Sequence, residues 1–130
     1  MALIFLNGGG MRGGPLHSQL QGTPMVCRAR SAPKYRYFSV RGRFPAMHES
    51  GSASVAGELY DLPLKILRDH LVPAEPPELE IGVIELEDGS AALATVLRDA
   101  VLEDSSLLRS GDIRDISYLG DWREFLHREG

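Results

Sequence analysis

The 130-residue chain predicts an α+β fold, a mainly antiparallel, partly closed β-barrel with short helices. Three observations lead there. Short runs rich in β-branched and aromatic residues recur along the chain. Glycine and proline clusters break them at close intervals. Helical patterns are few, brief and inserted among the strands.

The elements follow in order. Leu3 to Leu6 reads as a buried strand, ended by Asn7-Gly8-Gly9-Gly10 and a second break at Gly13-Gly14. Pro15 suits the first turn of a short helix, Leu16 to Gln21, stopped by Gly22. Met25–Arg30 and Tyr35–Val40 are strands separated by Pro33. The stretch from Ser39 to Pro45 leads into a polar loop, Met47 to Ser54, and Val55–Tyr60 is a further strand. Asp61 is read as the cap of a helix with Pro63 near its start and Leu62, Ile66, Leu67 and Leu71 on one face. Pro73, Pro76 and Pro77 stiffen the next connection. Glu80–Glu87 and Ala91–Leu97 form a hairpin about Asp88-Gly89. Beyond Arg98 the pattern weakens until a last helix, Leu119 to His127, capped by Asp115 or Ser117 and anchored by Trp122 and Phe125. This gives about six strands and three short helices in a single domain spanning 1–130, without repeats.

Composition narrows the function classes. A net charge of −4 gives no push toward nucleic acid. No stretch approaches the roughly 18 apolar residues of a membrane helix, and the N-terminal apolar run is too short for a signal segment. Cys27 is the only cysteine, which fits a reducing, cytoplasmic setting. It is read as a buried small hydrophobe. No cluster has metal-ligand spacing, and no metal or cofactor is expected.

Four segments resemble the C-terminal domain of allophanate hydrolase. They are Arg12-Gly13-Gly14-Pro15-Leu16-His17-Ser18-Gln19-Leu20; Ala29-Arg30-Ser31-Ala32-Pro33-Lys34-Tyr35-Arg36-Tyr37; Gly57-Glu58-Leu59-Tyr60-Asp61-Leu62-Pro63 with Ile81 to Gly89; and Asp115-Ile116-Ser117-Tyr118-Leu119-Gly120-Asp121-Trp122-Arg123. They occur in the family's order and span most of the chain. The resemblance implies a γ-glutamylcyclotransferase-like fold in which a glycine-rich turn after the first strand cradles a ligand. In allophanate hydrolase this domain follows an amidase domain and is thought to decarboxylate N-carboxycarbamate. Two departures stand out. The chain carries no amidase motif. It has Gly10 and Ser18 where the family often has histidines, and His17 where the family has asparagine.

The candidate site starts at the glycine loop, Asn7, Gly8, Gly9, Gly10, Arg12, Gly13 and Gly14. Its glycines let backbone N–H groups converge on an anion, and the helix after Pro15 adds its own free N–H groups. His17, at the start of that helix, is a candidate proton carrier. The resemblance adds Tyr35, in the family-like Pro-x-Tyr-Arg segment, as a pocket wall. It also adds a glutamate after the second helix as general acid/base, a place that Glu75 or Glu78 fills, its pKa raised by burial. Arg28, Arg30, Lys34, Arg36, Arg41 and Arg43 form a basic stretch without an acid among them. It reads as a solvated sheet face or as a carboxylate holder. His48-Glu49 reads as a solvated loop, and His70 and His127 as helix-end residues.

Three functions are compatible with this pattern. The chain acts as an enzyme on a small carboxylated amide or carbamate, as a non-catalytic ligand-binding module or partner of an amidase in trans, or as a γ-glutamylcyclotransferase. The third is the weakest, because the Tyr-Gly-Ser-Asn turn of that family is here Leu6-Asn7-Gly8-Gly9. The expected partner is a small carboxylate-bearing ligand, with self-association open and neither nucleic acid nor membrane involved.

Overall fold

The computed structural model describes residues 2–129; Met1 and Gly130, the ends of the expected domain, lie outside the described residues. Eight strands make one sheet: β1 (Ala2–Leu6), β2 (Met25–Arg30), β3 (Tyr35–Val40), β4 (Phe44–Ala53), β5 (Ala56–Leu62), β6 (Leu79–Glu85), β7 (Ala91–Leu97) and β8 (Ile113–Asp115). Their order is β2-β5-β1-β7-β4-β3-β8, with β6 also paired to β7. Antiparallel pairs dominate, and only β1 and β4 run parallel to β7 among the described pairs. The mixed α+β, mainly antiparallel class holds, but the sheet does not close into a barrel.

β7 explains the open geometry. Along one edge it pairs with all of β6, from Leu79↔Leu97 to Glu85↔Ala91. Its other edge is shared: β1 meets it at Ile4↔Leu93 and β4 at Met47↔Val96. β1 therefore leaves the sheet, at Leu6, close to where β4 enters it, at Phe44. The changeover falls beside Thr95, and the chain leaving β1 there is the glycine loop.

Local sequence accounts for the agreements and the differences. β2, β3 and β7 have the expected bounds, and the β6–β7 hairpin turns at Gly89 with φ +88°, a left-handed position that suits glycine. The polar segment expected to be a loop, Met47 to Ser54, belongs largely to β4. Its outer part bulges from β3: Arg36 pairs with His48, while the adjacent Tyr35 pairs with Ala53. Its string of small polar residues lacks apolar alternation because these residues face solvent. Within it, His48 contacts Ser50 Oγ and Asp99 Oδ1 through its two ring nitrogens, at 2.8 and 2.7 Å. Asp61 lies in β5, opposite Leu3, and is not a helix cap; Pro63 holds the N-cap position of the helical stretch 64–74. That stretch widens into a π turn at Leu67–Leu71. The first helix is a 3-10 turn, His17–Leu20. The weakly patterned region after Arg98 holds two short helices, Asp99–Glu103 and Ser105–Ser110, and β8. The last helix runs over Trp122–Glu129.

Strand residues on both faces of the sheet are buried in the core, as consecutive Ile4, Phe5 and Leu6 of β1 show. Ile4, Phe5, Leu6, Tyr37, Met47, Tyr60 and Leu62 belong to one buried cluster with Leu71 of the helical stretch and with Trp122 and Phe125 of the C-terminal helix. These two rings stack at 4.9 Å, as anchors should. Phe38, Val40, Leu79, Leu97 and Ile113 make a second cluster. Cys27 is exposed on β2, contrary to its reading as a buried residue, because β2 ends the strand order. Among the described residues no helix is long and apolar enough to cross a membrane.

Candidate functional site

A cavity of about 210 Å³ opens at the changeover between β1 and β4. Its floor and walls are Leu6, Phe44, Pro45, Leu79 and Thr95 from the strands and Pro15 and Leu16 from the loop exit. Asn7, Gly8, Gly9 and Gly10 line one side, and Ala74, Glu75 and Pro76 face the same space. Arg43 completes the lining. A space of this size takes a ligand of a few heavy atoms, below the usual range of drug-sized pockets.

The loop is held by specific bonds. Met11 N–H donates to Gly8 O at 3.1 Å, Gly14 N–H to Met11 O at 2.9 Å and Leu16 N–H to Gly9 O at 2.8 Å. The Tyr37 hydroxyl lies 2.8 Å from Asn7 O and 3.2 Å from Asn7 Oδ1 and donates to that pair. Asn7 is thereby fixed as a buried hinge at the end of β1. After these bonds are made, the N–H groups of Gly8, Gly9 and Gly10 have no partner among the described residues. Donors left open beside a cavity are what an anion needs.

Two glycines are steric requirements. A Cβ on Gly8 would lie 2.6 Å from Pro45 Cδ and Cγ. A Cβ on Gly14 would lie 2.2 Å from Gly9 O. Gly9, by contrast, would meet only Pro15 and Leu16 side chains, at 3.4 Å or more.

Under the loop sits a carboxylate that the sequence reading did not single out. Glu58, on β5, is 1% exposed. It accepts from Arg12 N–H at 2.9 Å, from the Tyr60 hydroxyl at 2.8 Å and from Arg123 Nη2 at 3.0 Å. Burial alone would push this carboxyl up; the three donors outweigh it and hold it below its ordinary value. Arg123 Nη2 also donates to Arg12 O at 2.8 Å, so the C-terminal helix grips the loop directly. The available signal was an acid set between Gly57 and Leu59 in a mostly apolar strand.

A family model for the allophanate hydrolase C-terminal domain matches residues 2–127. The chain belongs to that family. A protein specific to uropathogenic Escherichia coli is 32% identical, with a TM-score of 0.84, and the match covers 97% of this chain and 95% of that one. Allophanate hydrolase of Kluyveromyces lactis superposes with a TM-score of 0.85 at 18% identity, over 99% of this chain. The chain spans only 21% of that enzyme's length. A mouse AIG2-like protein shares the fold at a TM-score of 0.53 and 21% identity, over 77% of this chain and 78% of that one. The fold is thus the γ-glutamylcyclotransferase-like one. No curated protein resembles the chain significantly in sequence.

This allophanate hydrolase C-terminal domain separates the two candidate glutamates. Glu75 faces the cavity without an ion pair among the described residues, and burial pushes its carboxyl up to about 7. Glu78, beyond two prolines, turns away to Arg41, whose hydrogen bond and charge hold it below the usual carboxylate range. His17 lies outside the cavity. Its Nδ1 is 3.0 Å from Gly10 O and must carry the hydrogen of that bond, and its ring tilts against Tyr60 at 5.9 Å. It props the loop. Arg12, Gly13 and Gly14 face a separate hollow next to Trp122 and Arg123. Tyr35 does not line the cavity either: it is buried beside His48, and its hydroxyl accepts from Glu85 N–H at 2.9 Å. The structure therefore brings Asn7, Gly8, Gly9, Gly10 and Glu75 together and leaves His17, Glu78, Arg12, Gly13, Gly14 and Tyr35 outside. Among the described residues no group of His, Cys, Asp or Glu side chains has metal-binding geometry.

Proposed function

We propose that the domain acts on a small carboxylated amide or carbamate, with the glycine-loop N–H groups holding a carboxylate and Glu75 exchanging the proton. The carrying observation is a carboxyl with a pKa of about 7 lining the same cavity as the open N–H groups of Gly8 to Gly10. A carboxyl poised there serves as an acid at neutral pH. For N-carboxycarbamate the step balances simply. Glu75 gives its proton to the nitrogen, the N–C bond to one carboxylate breaks, that bond's electron pair passes to the nitrogen, and carbon dioxide leaves with carbamate as the other product. Water then reprotonates Glu75. An amidase in trans is the natural supplier of such a substrate. Larger proteins named allophanate hydrolase and urea amidolyase contain a region of this fold.

The test is an NMR titration with malonate, a stable stand-in for a small dicarboxylate, beside a turnover assay. The amides of Gly8 to Gly10 should shift, and Glu75→Gln should bind malonate but lose turnover. Wild-type turnover should fall as pH rises through about 7, as the acid form of Glu75 disappears. Malonate shifts confined to the stretch Arg28–Arg43, with a silent loop, would move the site elsewhere.

A second reading, a binding module without catalysis, is favoured by one observation. The family's histidine positions are Gly10 and Ser18 here, and His17 is committed to the loop scaffold. Under it, malonate binds at the loop while no carbamate or amide is turned over.

A further inference from the structure

The basic stretch between Arg28 and Arg43 resolves into separate tasks. Arg30 donates to Ser54 Oγ and O at 3.2 and 3.1 Å. Lys34 pairs with Glu85 at 2.8 Å, Arg36 with Asp115 at 3.5 Å and Arg41 with Glu78. Arg28 and Arg43 have no carboxylate partner among the described residues, and of the two only Arg43 lines the cavity.

Its position is fixed by the chain around it. Arg41 and Gly42 both have positive φ, +53° and +69°, the conformation of a tight hairpin turn between β3 and β4. Arg43 N–H closes the turn on Val40 O at 2.9 Å, and Gly42 N–H donates to Ser39 Oγ at 3.1 Å. The Arg41–Glu78 pair then fastens this turn to the segment that carries Glu75. Arg98 adds to the fastening: its N–H donates to Glu78 O and its Nε to Pro77 O. The turn thus places an arginine without a carboxylate partner among the described residues at the cavity that Gly8, Gly9 and Gly10 also line.

We infer that Arg43 is a specificity-determining residue that reads a second anionic group on the ligand, so that the site selects a dianion with one charge on the glycine loop and the other on Arg43. This rests on the proposed function of the cavity and adds the charge class of its ligand. An arginine meets a carboxylate with two parallel N–H bonds, which a neutral amide cannot replace. The exposure of Arg43 tempers the gain, which sets the expected discrimination at about tenfold.

The experiment compares malonate with its monoamide, malonamate, on the wild-type protein and on Arg43→Gln, by calorimetry and by amide shifts. Wild-type protein should bind malonate about tenfold more tightly, with an affinity that falls as salt is added. Arg43→Gln should lose that preference and most of the salt dependence while the Gly8–Gly10 amides still respond to malonate. Arg28→Gln, the other unpaired arginine, should behave as wild type. Undiminished preference for malonate in Arg43→Gln, with the loop still responding, overturns this inference and leaves the cavity's role standing. A glycine loop silent to malonate in the wild-type protein removes the underlying reading and this one with it.

Discussion

The glycine loop has two sides that treat the same backbone differently. Several of its polar groups are met by side chains: Arg12 N–H by Glu58, Arg12 O by Arg123, Gly10 O by His17 and Asn7 O by Tyr37. The N–H groups of Gly8, Gly9 and Gly10, residues that line the cavity, have no partner among the described residues. The difference teaches that openness at a binding site is built, not left over. Three glycine donors are kept available because side chains of β3, β5, the 3-10 turn and the C-terminal helix hold their neighbours in place.

The largest effect should come from breaking the satisfied side. Glu58→Leu leaves the buried Tyr60 hydroxyl and Arg12 N–H without an acceptor and should cost about 3 kcal/mol in urea unfolding at pH 7. The folded-state pKa of Glu58 is depressed, so its contribution is present above the unfolded carboxylate range and fades as pH falls through the folded value. The gap between wild type and variant should therefore narrow in acid; a constant gap across pH breaks the comparison.

The open side should respond with the opposite sign. Glu75 has a raised folded-state pKa, so folding favours its neutral form. Stability is undiminished by it below about 4.5 and is lost as pH rises toward about 7 and beyond. Glu75→Gln should stabilise the protein at pH 8, by at most about 3 kcal/mol, and do little at pH 4. Glu78→Gln, three residues away and paired with the half-exposed Arg41, should lie within about 1 kcal/mol of wild type at pH 8. Parallel pH–stability curves for wild type and Glu75→Gln would show that Glu75 is solvated.

Two glycines sharpen the contrast further. Gly14→Ala drives a Cβ into Gly9 O and should cost about 1–3 kcal/mol. Gly9→Val should keep a folded spectrum yet weaken malonate binding, because a Cβ there meets only the Pro15 and Leu16 side chains, at 3.4 Å or more, but crowds the open donors. Equal melting temperatures for the two variants would refute the distinction.

Much of this was legible in the sequence, and the failures have physical reasons. β2, β3 and β7 could be read because β-branched and aromatic residues fill them between clear breaks. Four segments carried the family because they hold the loop, the strand turns and the last helix. β4 was missed where its outer part, His48 to Ser52, is polar and bulged, and β8 because three residues with one inward side chain, Ile113, make no pattern. At the site, the glycine loop and Glu75 were legible as types. Sequence spacing could not tell Glu75 from Glu78, since the prolines between them set which one turns inward. Nor could it place Tyr35, whose hydroxyl serves the backbone of β6.

The placement of β1 also governs how the chain is made. β1 is paired on one side by β5, which starts at Ala56, and on the other by β7, which starts at Ala91. At roughly 5–20 residues per second of synthesis, its apolar Leu-Ile-Phe-Leu run waits several seconds for both partners. Arg123, which grips the loop that follows, emerges later still. The lining of the ligand cavity is therefore complete only once Thr95 has emerged, and a ribosome-bound chain stalled before Ala91 carries an exposed strand in search of an edge.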